Sequence, residues 1–290
     1  MRQLTVISGK GGTGKTSLTA ALASLATNAV IADCDVDAAD LHLLLHPRVE
    51  TTLPFFGLDL AVIDDQRCIS CGRCRQACRF GAISEDIEVV GHACEGCGVC
   101  AHVCPVDAIS LVRRESGQAF ISSTRHGPLV HAALHTAEEA SGKLVSLVRE
   151  QARQVASRQG RDLVIIDGPP GIGCPVIAAI AGVDLVLVVT EPTVTAVHDL
   201  ERILGVAHHF DIPAAVCINK CDLVEEKATG IEDHCREMGV EVAGRLPYDT
   251  VVTEAMLHGK TVVEFEENAV TPSIRILWKK VQQMLRSGDP

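Results

Sequence analysis

Eight cysteines within residues 68–104 have the types and spacing best suited to chemistry in this sequence. They form two runs with the same C-x-x-C-x-x-C-x-x-x-C spacing, and the second run ends in a Cys-Pro pair. In bacterial proteins with this spacing, the first three cysteines of a run ligate one [4Fe–4S] cluster and the fourth ligates the other. The pattern therefore predicts two clusters, one held by Cys68, Cys71, Cys74 and Cys104, and the other by Cys78, Cys94, Cys97 and Cys100.

The two runs belong to an internal duplication. Each cysteine of the first run recurs 26 residues later, and the following segments, Phe80–Ser84 and Val106–Ser110, recur at the same offset. Zinc is the alternative metal, but a structural zinc site closes with four ligands and needs neither a crossed fourth cysteine nor a duplicated frame. The duplication therefore favours iron–sulfur clusters.

A second motif lies at the start of the chain. Residues 9–16 read Gly-Lys-Gly-Gly-Thr-Gly-Lys-Thr, after a short apolar segment and before an Ala/Leu-rich helical one. This is the G-x-x-x-x-G-K-T phosphate-binding loop in its usual strand-to-helix context. We expect Lys15 to reach the β- and γ-phosphates of a nucleotide and Thr16 to place its hydroxyl on Mg²⁺. The predicted phosphate-binding residues are Gly9, Lys10, Gly11, Gly12, Thr13, Gly14, Lys15, Thr16 and Ser17.

Alternating strands and helices are expected to position both motifs. Strands are predicted at residues 4–8, 29–32, 163–166, 183–189, 214–218 and 241–246, and helices at 195–210, 225–238, 251–258 and 273–286. Long apolar strands that alternate with helices indicate an α/β domain whose mostly parallel sheet is covered on both faces. Ligands bind at the carboxyl ends of such strands, which is where Gly9, Asp35, Asp167 and Asn219 fall.

The cysteine-rich segment shares no pattern with its surroundings. We therefore predict that residues 1–53 and 113–290 form one α/β domain, interrupted by a small α+β domain at 54–112.

Composition limits the classes of partner. The formal net charge is −11, which disfavours nucleic acid. The chain enters a strand and the phosphate-binding loop at once, so we expect no signal peptide, and no apolar run approaches the length of a membrane span. Free thiols together with oxygen-sensitive clusters favour a reducing cytoplasm.

The motifs taken together resemble a known class. The two-lysine loop, the Asp33-Cys34-Asp35 segment and Asp167-Gly-Pro-Pro-Gly are similar to the MinD/ParA/nitrogenase-reductase ATPases. Over nearly its whole length the chain resembles MinD-superfamily ATPases with an inserted ferredoxin domain. The resemblance implies ATP and Mg²⁺ bound across a dimer, with Lys10 crossing to the partner's nucleotide. It also implies that Asp35 positions the attacking water, that Asp167 lies behind the magnesium ion and begins a switch through Gly171, and that Asn219, Pro247 and Asp249 surround the adenine.

Several readings stay open at this stage. The sequence Asn219-Lys220-Cys221-Asp222 matches the guanine-reading N-K-x-D motif, so GTP is the alternative to ATP. Cys174 is either a buried packing residue or a functional residue of the switch. Asp37 and Asp40 are interpreted as turn or N-cap residues, and Asp33 is undecided. The apolar face of the C-terminal helix favours core packing over membrane docking.

We therefore expect a homodimer, or a pair of paralogues, whose ATP hydrolysis is coupled to electron transfer or metal-cluster delivery to an acceptor protein. A scaffold or carrier for iron–sulfur or heterometal clusters is the first alternative. A positioning ATPase that acts on a surface is the second. Each alternative shares the nucleotide site and differs in what the cysteine-rich domain does.

Overall fold

The computed structural model describes residues 1–135 and 141–287, which divide into two compact units. The first contains Met1–Thr52, Ala119–Ala133 and the chain from Ser141, and the second contains Leu53–Gln118 with Leu134 and His135. The second unit begins one residue before the predicted insertion and extends six residues beyond its predicted end. Three of the boundaries between the units fall within strands, namely Arg48–Ile63, Ile109–Thr124 and Gly127–Leu134.

The elements follow one another in a largely alternating order. The strands are β1 (Arg2–Ser8), β2 (Ala29–Asp33), β3 (Arg48–Ile63), β4 (Ile109–Thr124), β5 (Gly127–Leu134), β6 (Leu163–Pro170), β7 (Leu185–Thr190), β8 (Ala214–Ile218) and β9 (Glu241–Arg245). The helices are α1 (Lys15–Leu25), α2 (Leu41–Leu45), α3 (Arg73–Ala77), α4 (Val99–His102), α5 (Ser141–Arg158), α6 (Cys174–Ile180), α7 (Ala196–His209), α8 (Glu225–Glu237), α9 (Val251–Leu257), α10 (Val262–Phe265) and α11 (Val270–Ser287). A turn of 3-10 helix spans Gly91–Ala93.

The first unit is built on a parallel sheet. Its strands lie in the order β5-β2-β6-β1-β7-β8-β9, and each pair of neighbours in that series is parallel. Strands β2 and β7 are buried along their whole length, as expected for strands covered on both faces. The prediction of an α/β fold with a mostly parallel sheet is confirmed.

Helix α11 packs its apolar face into this unit. Ile274, Leu277, Trp278, Val281 and Leu285 are buried in a core that also contains residues of α1 and β1. The predicted core-packing role of the C-terminal helix therefore agrees with the structure. In the part of the chain that the structure describes, none of the helices has the length and apolar character needed to cross a bilayer.

The second unit repeats its backbone with the 26-residue period of its sequence. The short helices α3 and α4 begin 26 residues apart, at Arg73 and Val99. The same offset relates two hydrogen bonds, since Asp64 N–H donates to the carbonyl of Ala108 and Val90 N–H to that of Ala82, each at 2.8 Å. It also relates three pairs of residues with positive φ, namely Ser70 and Gly96, Gly72 and Gly98, and Gly81 and Asp107. The duplication is therefore structural as well as sequential.

Candidate functional site

The phosphate-binding loop lies between β1 and α1 and is braced from a distant strand. Gly14, the residue before α1, has a φ of 89°, and a Cβ there would collide with the side-chain amide of Asn219. That amide follows β8 and donates to the carbonyl of Thr13 at 2.8 Å. Asn219 therefore holds the loop itself, a role that the sequence analysis did not assign.

Lys15 lies at the centre of a buried polar cluster at the carboxyl ends of the strands. Its Nζ is 3.0 Å from Oδ1 of Asp167 and 3.2 Å from Oδ2 of Asp35. Its side chain is only 6% exposed. Asp35 follows β2 and Asp167 lies within β6, and these two strands are neighbours in the sheet. The structure thus brings together three of the residues that the sequence proposed for catalysis.

Two threonines of α1 complete the cluster. The hydroxyl of Thr16 donates to Oδ2 of Asp167 at 2.7 Å, and the hydroxyl of Thr19 lies 2.9 Å from Oδ1. Thr19 was not predicted as a site residue, although its position one helical turn after Lys15 places it on the same face. A hydroxyl next to a carboxylate is a suitable oxygen donor set for Mg²⁺.

Asp33 is fully buried and shapes the loop that carries Asp35. Its two carboxylate oxygens accept the backbone N–H groups of Asp35 and Leu41, each at 3.2 Å. Burial, and then the charge of Asp167, raise the pKa of Asp33 well above its ordinary value. Asp37 is an exposed turn residue as expected, whereas Asp40 precedes α2 without making the predicted capping hydrogen bond.

The cluster keeps its lysine charged. Burial lowers the pKa of Lys15, but the carboxylates of Asp167 and Asp35 act in the opposite direction and the net pKa is raised. Burial raises the pKa of Asp35, although the neighbouring ammonium opposes that shift. The Lys15 ammonium is thus held by several carboxylates, which the oxygens of a bound phosphate can replace.

Lys10 is tied to its own chain by residues that the sequence analysis missed. Its Nζ lies 2.8 Å from the hydroxyl of Thr193 and 3.3 Å from Oε1 of Glu191. Glu191 also pairs with Lys220 at 2.8 Å. Burial would raise the pKa of Glu191, but Lys220 and Lys10 together hold it below its ordinary value. Glu191 follows β7, and no motif in the sequence marked it.

A cavity of about 450 Å³ opens beside the loop and has the size of a small-ligand site. The predicted residues Lys15, Thr16, Asn219, Pro247 and Asp249 line it. Five more of the predicted phosphate-binding residues also line it, namely Gly11, Gly12, Thr13, Gly14 and Ser17, whereas Gly9 is packed against Asp199 of α7.

Asp222 does not point freely into this cavity. One of its carboxylate oxygens accepts the backbone N–H of Tyr248 at 2.6 Å. A guanine-reading aspartate accepts the two N–H groups of the base, and the Asp222 carboxylate already accepts one backbone N–H of its own chain.

The segment after β6 approaches the phosphate-binding loop. Gly171 has a φ of 90°, and its N–H donates to the carbonyl of Ser8 at 2.9 Å. Cys174 begins α6 and is exposed, so the reading of this residue as a buried packing group is wrong. The cysteines predicted to have packing roles, Cys34, Cys217, Cys221 and Cys235, are all buried.

The eight spaced cysteines line two separate cavities in the second unit, four in each. Cys68, Cys71, Cys74 and Cys104 surround one cavity. Cys78, Cys94, Cys97 and Cys100 surround the other. The fourth cysteine of each run thus lies with the first three of the other run, which is the crossed grouping that the spacing predicted.

The donors around these cavities suit iron–sulfur clusters. Besides four thiols, backbone N–H groups point at sulfur, with Ser70 donating to Cys68 at 3.4 Å and Ala108 to Cys104 at 3.3 Å. Such bonds are one of the means by which proteins tune cluster potentials. Over residues 1–135 and 141–287, no group of three or more His, Cys, Asp or Glu side chains converges on a point that could hold a single metal ion.

Comparison with known proteins places these observations in a family. The model of the CobQ/CobB/MinD/ParA nucleotide binding domain matches residues 4–262. The Methanocaldococcus jannaschii protein MJ0578 is 32% identical over 286 residues, covering 98% of this chain and 97% of that protein. The Pyrococcus horikoshii iron-sulfur cluster carrier protein is 26% identical over 144 residues, 44% of this chain and 48% of its own length. The solved structure of the septum site-determining protein MinD with Mg-ADP from Pyrococcus horikoshii has a TM-score of 0.60 at 18% identity, and the match covers 99% and 97% of the two chains.

Proposed function

This chain belongs to the CobQ/CobB/MinD/ParA nucleotide-binding family, and from that premise we propose that it is a Mg²⁺-dependent ATPase with two [4Fe–4S] clusters. Its nucleotide state would be coupled to electron transfer, or to cluster delivery, to an acceptor protein. The observation that carries this proposal is the division of eight cysteines into two cavities of four by exchange of the fourth ligand.

The nucleotide chemistry follows from the buried cluster of the first unit. Phosphate oxygens of a nucleotide would replace the carboxylates of Asp167 and Asp35 at Lys15, and Thr16 would supply a hydroxyl to Mg²⁺. Asp167 would help to hold the magnesium ion, and Asp35 would orient the attacking water. Both acids lie within reach of one ammonium group, so a single site can bind the nucleotide and activate water.

Lys10 would complete the site of a second subunit. Its ammonium group lies at the surface end of the loop, where Glu191 and Thr193 hold it. Exchange of these partners for a phosphate across an interface gives the extra positive charge that phosphoryl transfer requires. The partner subunit is either a second copy of this chain or a paralogue.

Each cluster would be held by one set of four cysteines and would supply a site for one electron. The residues of this chain contribute thiolates, N–H groups directed at sulfur and a largely apolar lining. Cys74 of the first set and Cys78, Cys94 and Cys100 of the second belong to one apolar core, which suits exchange of an electron between the sets.

A cluster carrier is the second candidate, because one cysteine of each set, Cys71 or Cys97, is exposed. An exposed ligand is open to attack by an acceptor thiol. The similarity to a protein named as an iron-sulfur cluster carrier agrees with this candidate. Positioning on a surface is a third candidate, since the MinD of the matched structure is named as determining a septum site.

Anaerobic reconstitution of the full chain tests the proposal. We expect about eight irons and eight sulfides per chain, with about half of each retained in a Cys71→Ser, Cys74→Ser double variant and in its counterpart, Cys97→Ser, Cys100→Ser. Zinc in place of iron, or equal loss of both clusters in each double variant, would contradict the assignment. Cys217→Ser is the matched control, because that cysteine lies in the core of the other unit.

Incubation of the loaded protein with an oxidised holo-ferredoxin and, separately, with an apo-ferredoxin separates the two leading candidates. Electron transfer predicts that the chain, once reduced with dithionite, reduces the holo-ferredoxin while all iron stays on this chain. Cluster delivery predicts that iron moves to the apo-ferredoxin. In either case ATP is expected to change the rate of transfer. An Asp35→Asn variant is expected to bind ATP and to keep the protein in its ATP-bound state. Vesicle binding that requires ATP, without either transfer, would favour the surface-positioning candidate.

A further inference from the structure

Two segments that line the cavity beside the phosphate-binding loop are in contact with each other. They are the α2 segment, residues 38–46, and the α9–α10 segment, residues 256–264. The lining residues are Ala38 and Asp40 in the first and Met256 and Val262 in the second. A Cβ on Gly259 would collide with the ring of His46, the residue that follows α2. The end of the α2 segment therefore packs directly on the α9–α10 segment.

Arg125, in the turn between β4 and β5, bonds to both segments at this contact. Its Nη2 donates to the carbonyl of Leu44 at 2.8 Å and lies 3.2 Å from the carbonyl of Gly259. Its Nε and Nη2 donate to Oε1 and Oε2 of Glu264 at 2.7 and 2.9 Å. A single guanidinium thus joins two parts of the cavity lining that are far apart in the sequence.

Glu264 is fixed in turn by its own segment. Its Oε2 accepts the backbone N–H of Thr261 at 3.0 Å, and the hydroxyl of Thr261 donates to that of Ser24 in α1 at 3.3 Å. Burial would raise the pKa of Glu264, but Arg125 and the N–H of Thr261 hold it well below its ordinary value. The ion pair is partly exposed, so its charge alone contributes little. The directed N–H groups of the guanidinium instead define the geometry of the contact.

The Arg125 contact is separate from the groups proposed to react. The loop that carries Asp35 is held by Asp33, whose carboxylate accepts the backbone N–H of Asp35. Lys15 is held by Asp35 and Asp167. Loss of the Arg125 contact is therefore expected to loosen the cavity lining and to leave the phosphate-binding cluster assembled.

We propose that Arg125 is a positioning residue for nucleotide binding, which holds the α2 segment against the α9–α10 segment and so keeps the cavity preformed. This inference rests on the proposed function, because it takes a nucleotide as the ligand of the cavity. A preformed site loses less conformational freedom when its ligand binds, so it binds more tightly than a site that must be ordered.

Nucleotide binding and steady-state hydrolysis by an Arg125→Gln variant of the full chain test the inference. The Kd for a fluorescent ATP analogue is expected to rise about tenfold, which equals about 1.4 kcal/mol, roughly the contribution of one of the four bonds. Most of the rise is expected in the dissociation rate. The KM for ATP is expected to rise with it, whereas kcat at saturating ATP is expected to stay within about twofold of wild type.

Arg2→Gln is the control for the loss of an arginine ion pair. Arg2 pairs with Asp184 at 2.8 Å and is 29% exposed, against 34% for Arg125. It lies at the amino end of β1, whereas the phosphate-binding loop follows the carboxyl end of that strand. Thermal unfolding is expected to show comparable losses of stability in the two variants, with the Kd raised only in Arg125→Gln.

Two glycine variants test the contact between the segments without touching Arg125. Gly259 and Gly160 both have a φ of 62°, so alanine is strained equally at either position. A Cβ at Gly160 meets nothing within 4 Å, whereas one at Gly259 collides with His46. Only Gly259→Ala is therefore expected to raise the Kd.

A double variant tests whether Arg125 and Glu264 act as one unit. Arg125→Gln with Glu264→Gln is expected to raise the Kd no further than Arg125→Gln does alone, because both changes remove the same contact. Additive rises would refute a shared contact, and the proposal with it.

The remaining outcomes separate this inference from the proposed function. Wild-type affinity in Arg125→Gln, an equal rise in Arg2→Gln, or a fall in kcat at unchanged KM would each refute the inference and leave the proposed function standing. If Arg125→Gln does not fold, Arg125→Lys replaces it, since it keeps the charge but loses the fork of N–H groups, and wild-type affinity there would refute the inference. A wild-type chain that binds no ATP refutes the proposed function and this inference with it.

Discussion

Removal of the Lys15 ammonium should destabilise the nucleotide-free protein, beyond its effect on nucleotide binding. The side chain is 6% exposed and lies within 3.2 Å of carboxylates of both Asp35 and Asp167. A third acid, Asp33, is fully buried close by. Lys15→Ala leaves these acids without their common cation, and breaking a buried ion pair on one side costs about 3–5 kcal/mol.

That cost is large compared with the stability of a domain. In a unit of this size, 1 kcal/mol corresponds to about 2–4 °C in the melting temperature, so the variant is expected to melt about 10 °C lower. Lys10→Ala is the matched control. Its ammonium side chain is 36% exposed and its ion pair is worth about 0–1 kcal/mol, so the melting temperature is expected to change little.

The pH dependence adds a second test with a defined sign. Burial already raises the pKa of Asp33 and Asp35, and removal of Lys15 takes away a charge that opposes the rise. An acid whose folded pKa exceeds its unfolded pKa takes up a proton on folding, so the stability of the variant increases as pH falls through the folded pKa. The deficit relative to wild type is therefore expected to be smaller at pH 5 than at pH 8.

Thermal and urea unfolding of the nucleotide-free protein measure both effects. The double variant Lys15→Met, Asp167→Asn is expected to recover part of the lost stability, because it removes one negative charge from the cluster together with the positive one. The reasoning is refuted if Lys15→Ala melts within about 2 °C of wild type, which would correspond to less than about 1 kcal/mol. It is also refuted if the deficit is independent of pH, or if Lys10→Ala loses as much stability.

Three further predictions concern single residues of the first unit. Lys10→Ala is expected to lower ATP hydrolysis by about 10³-fold or more with nucleotide binding largely intact; full activity in a phosphate-release assay would contradict the proposed role. Gly14→Ala is expected to weaken binding of a fluorescent ATP analogue strongly, because Gly14 has a φ of 89° and a Cβ there would meet the side-chain amide of Asn219. Gly11→Ala is the control, because a Cβ at Gly11 meets nothing within 4 Å. Equal affinities of the two variants for the analogue would refute this prediction. Burial lowers the pKa of His131 to about 4 from 6.5, so the unfolded chain binds a proton in that window that the folded chain does not. Stability is therefore expected to fall between pH 6.5 and 4, less steeply in His131→Gln, and identical slopes in urea unfolding would count against it.

Contiguous motifs predicted much of this protein, because their geometry is local. The phosphate-binding loop needs only eight consecutive residues between a strand and a helix, and the structure has that arrangement at Gly9–Thr16. The long apolar strands predicted β1, β2, β6, β7 and β8 to within a few residues, since a continuous apolar run is the signature of a strand buried on both faces. Strand β9 was also predicted, although it begins at Glu241, ends at Arg245 and buries only Ala243. The cysteine spacing likewise predicted which four thiols share a cavity.

Elements exposed along much of their length left no such signature. Strand β3 is exposed over its first five residues, and β4 is also exposed over much of its first half. Strand β4 has no long apolar run, and the apolar run Leu60–Ile63 of β3 lies inside the segment predicted as an insertion, so neither strand was predicted. Helix α5 and strand β5 were not predicted either, and the predicted insertion ended at residue 112, whereas the second unit continues to Gln118.

The sequence by itself determined the chemical groups and their local spacing, and the tertiary structure decided what surrounds them. Asn219 reaches the carbonyl of Thr13 from the far end of β8, and Glu191 reaches Lys10 from the end of β7. These pairs are separated by well over a hundred residues, so neither residue type nor spacing marks them. Only the parallel sheet, which gathers the carboxyl ends of its strands at one edge, brings such residues within hydrogen-bonding distance.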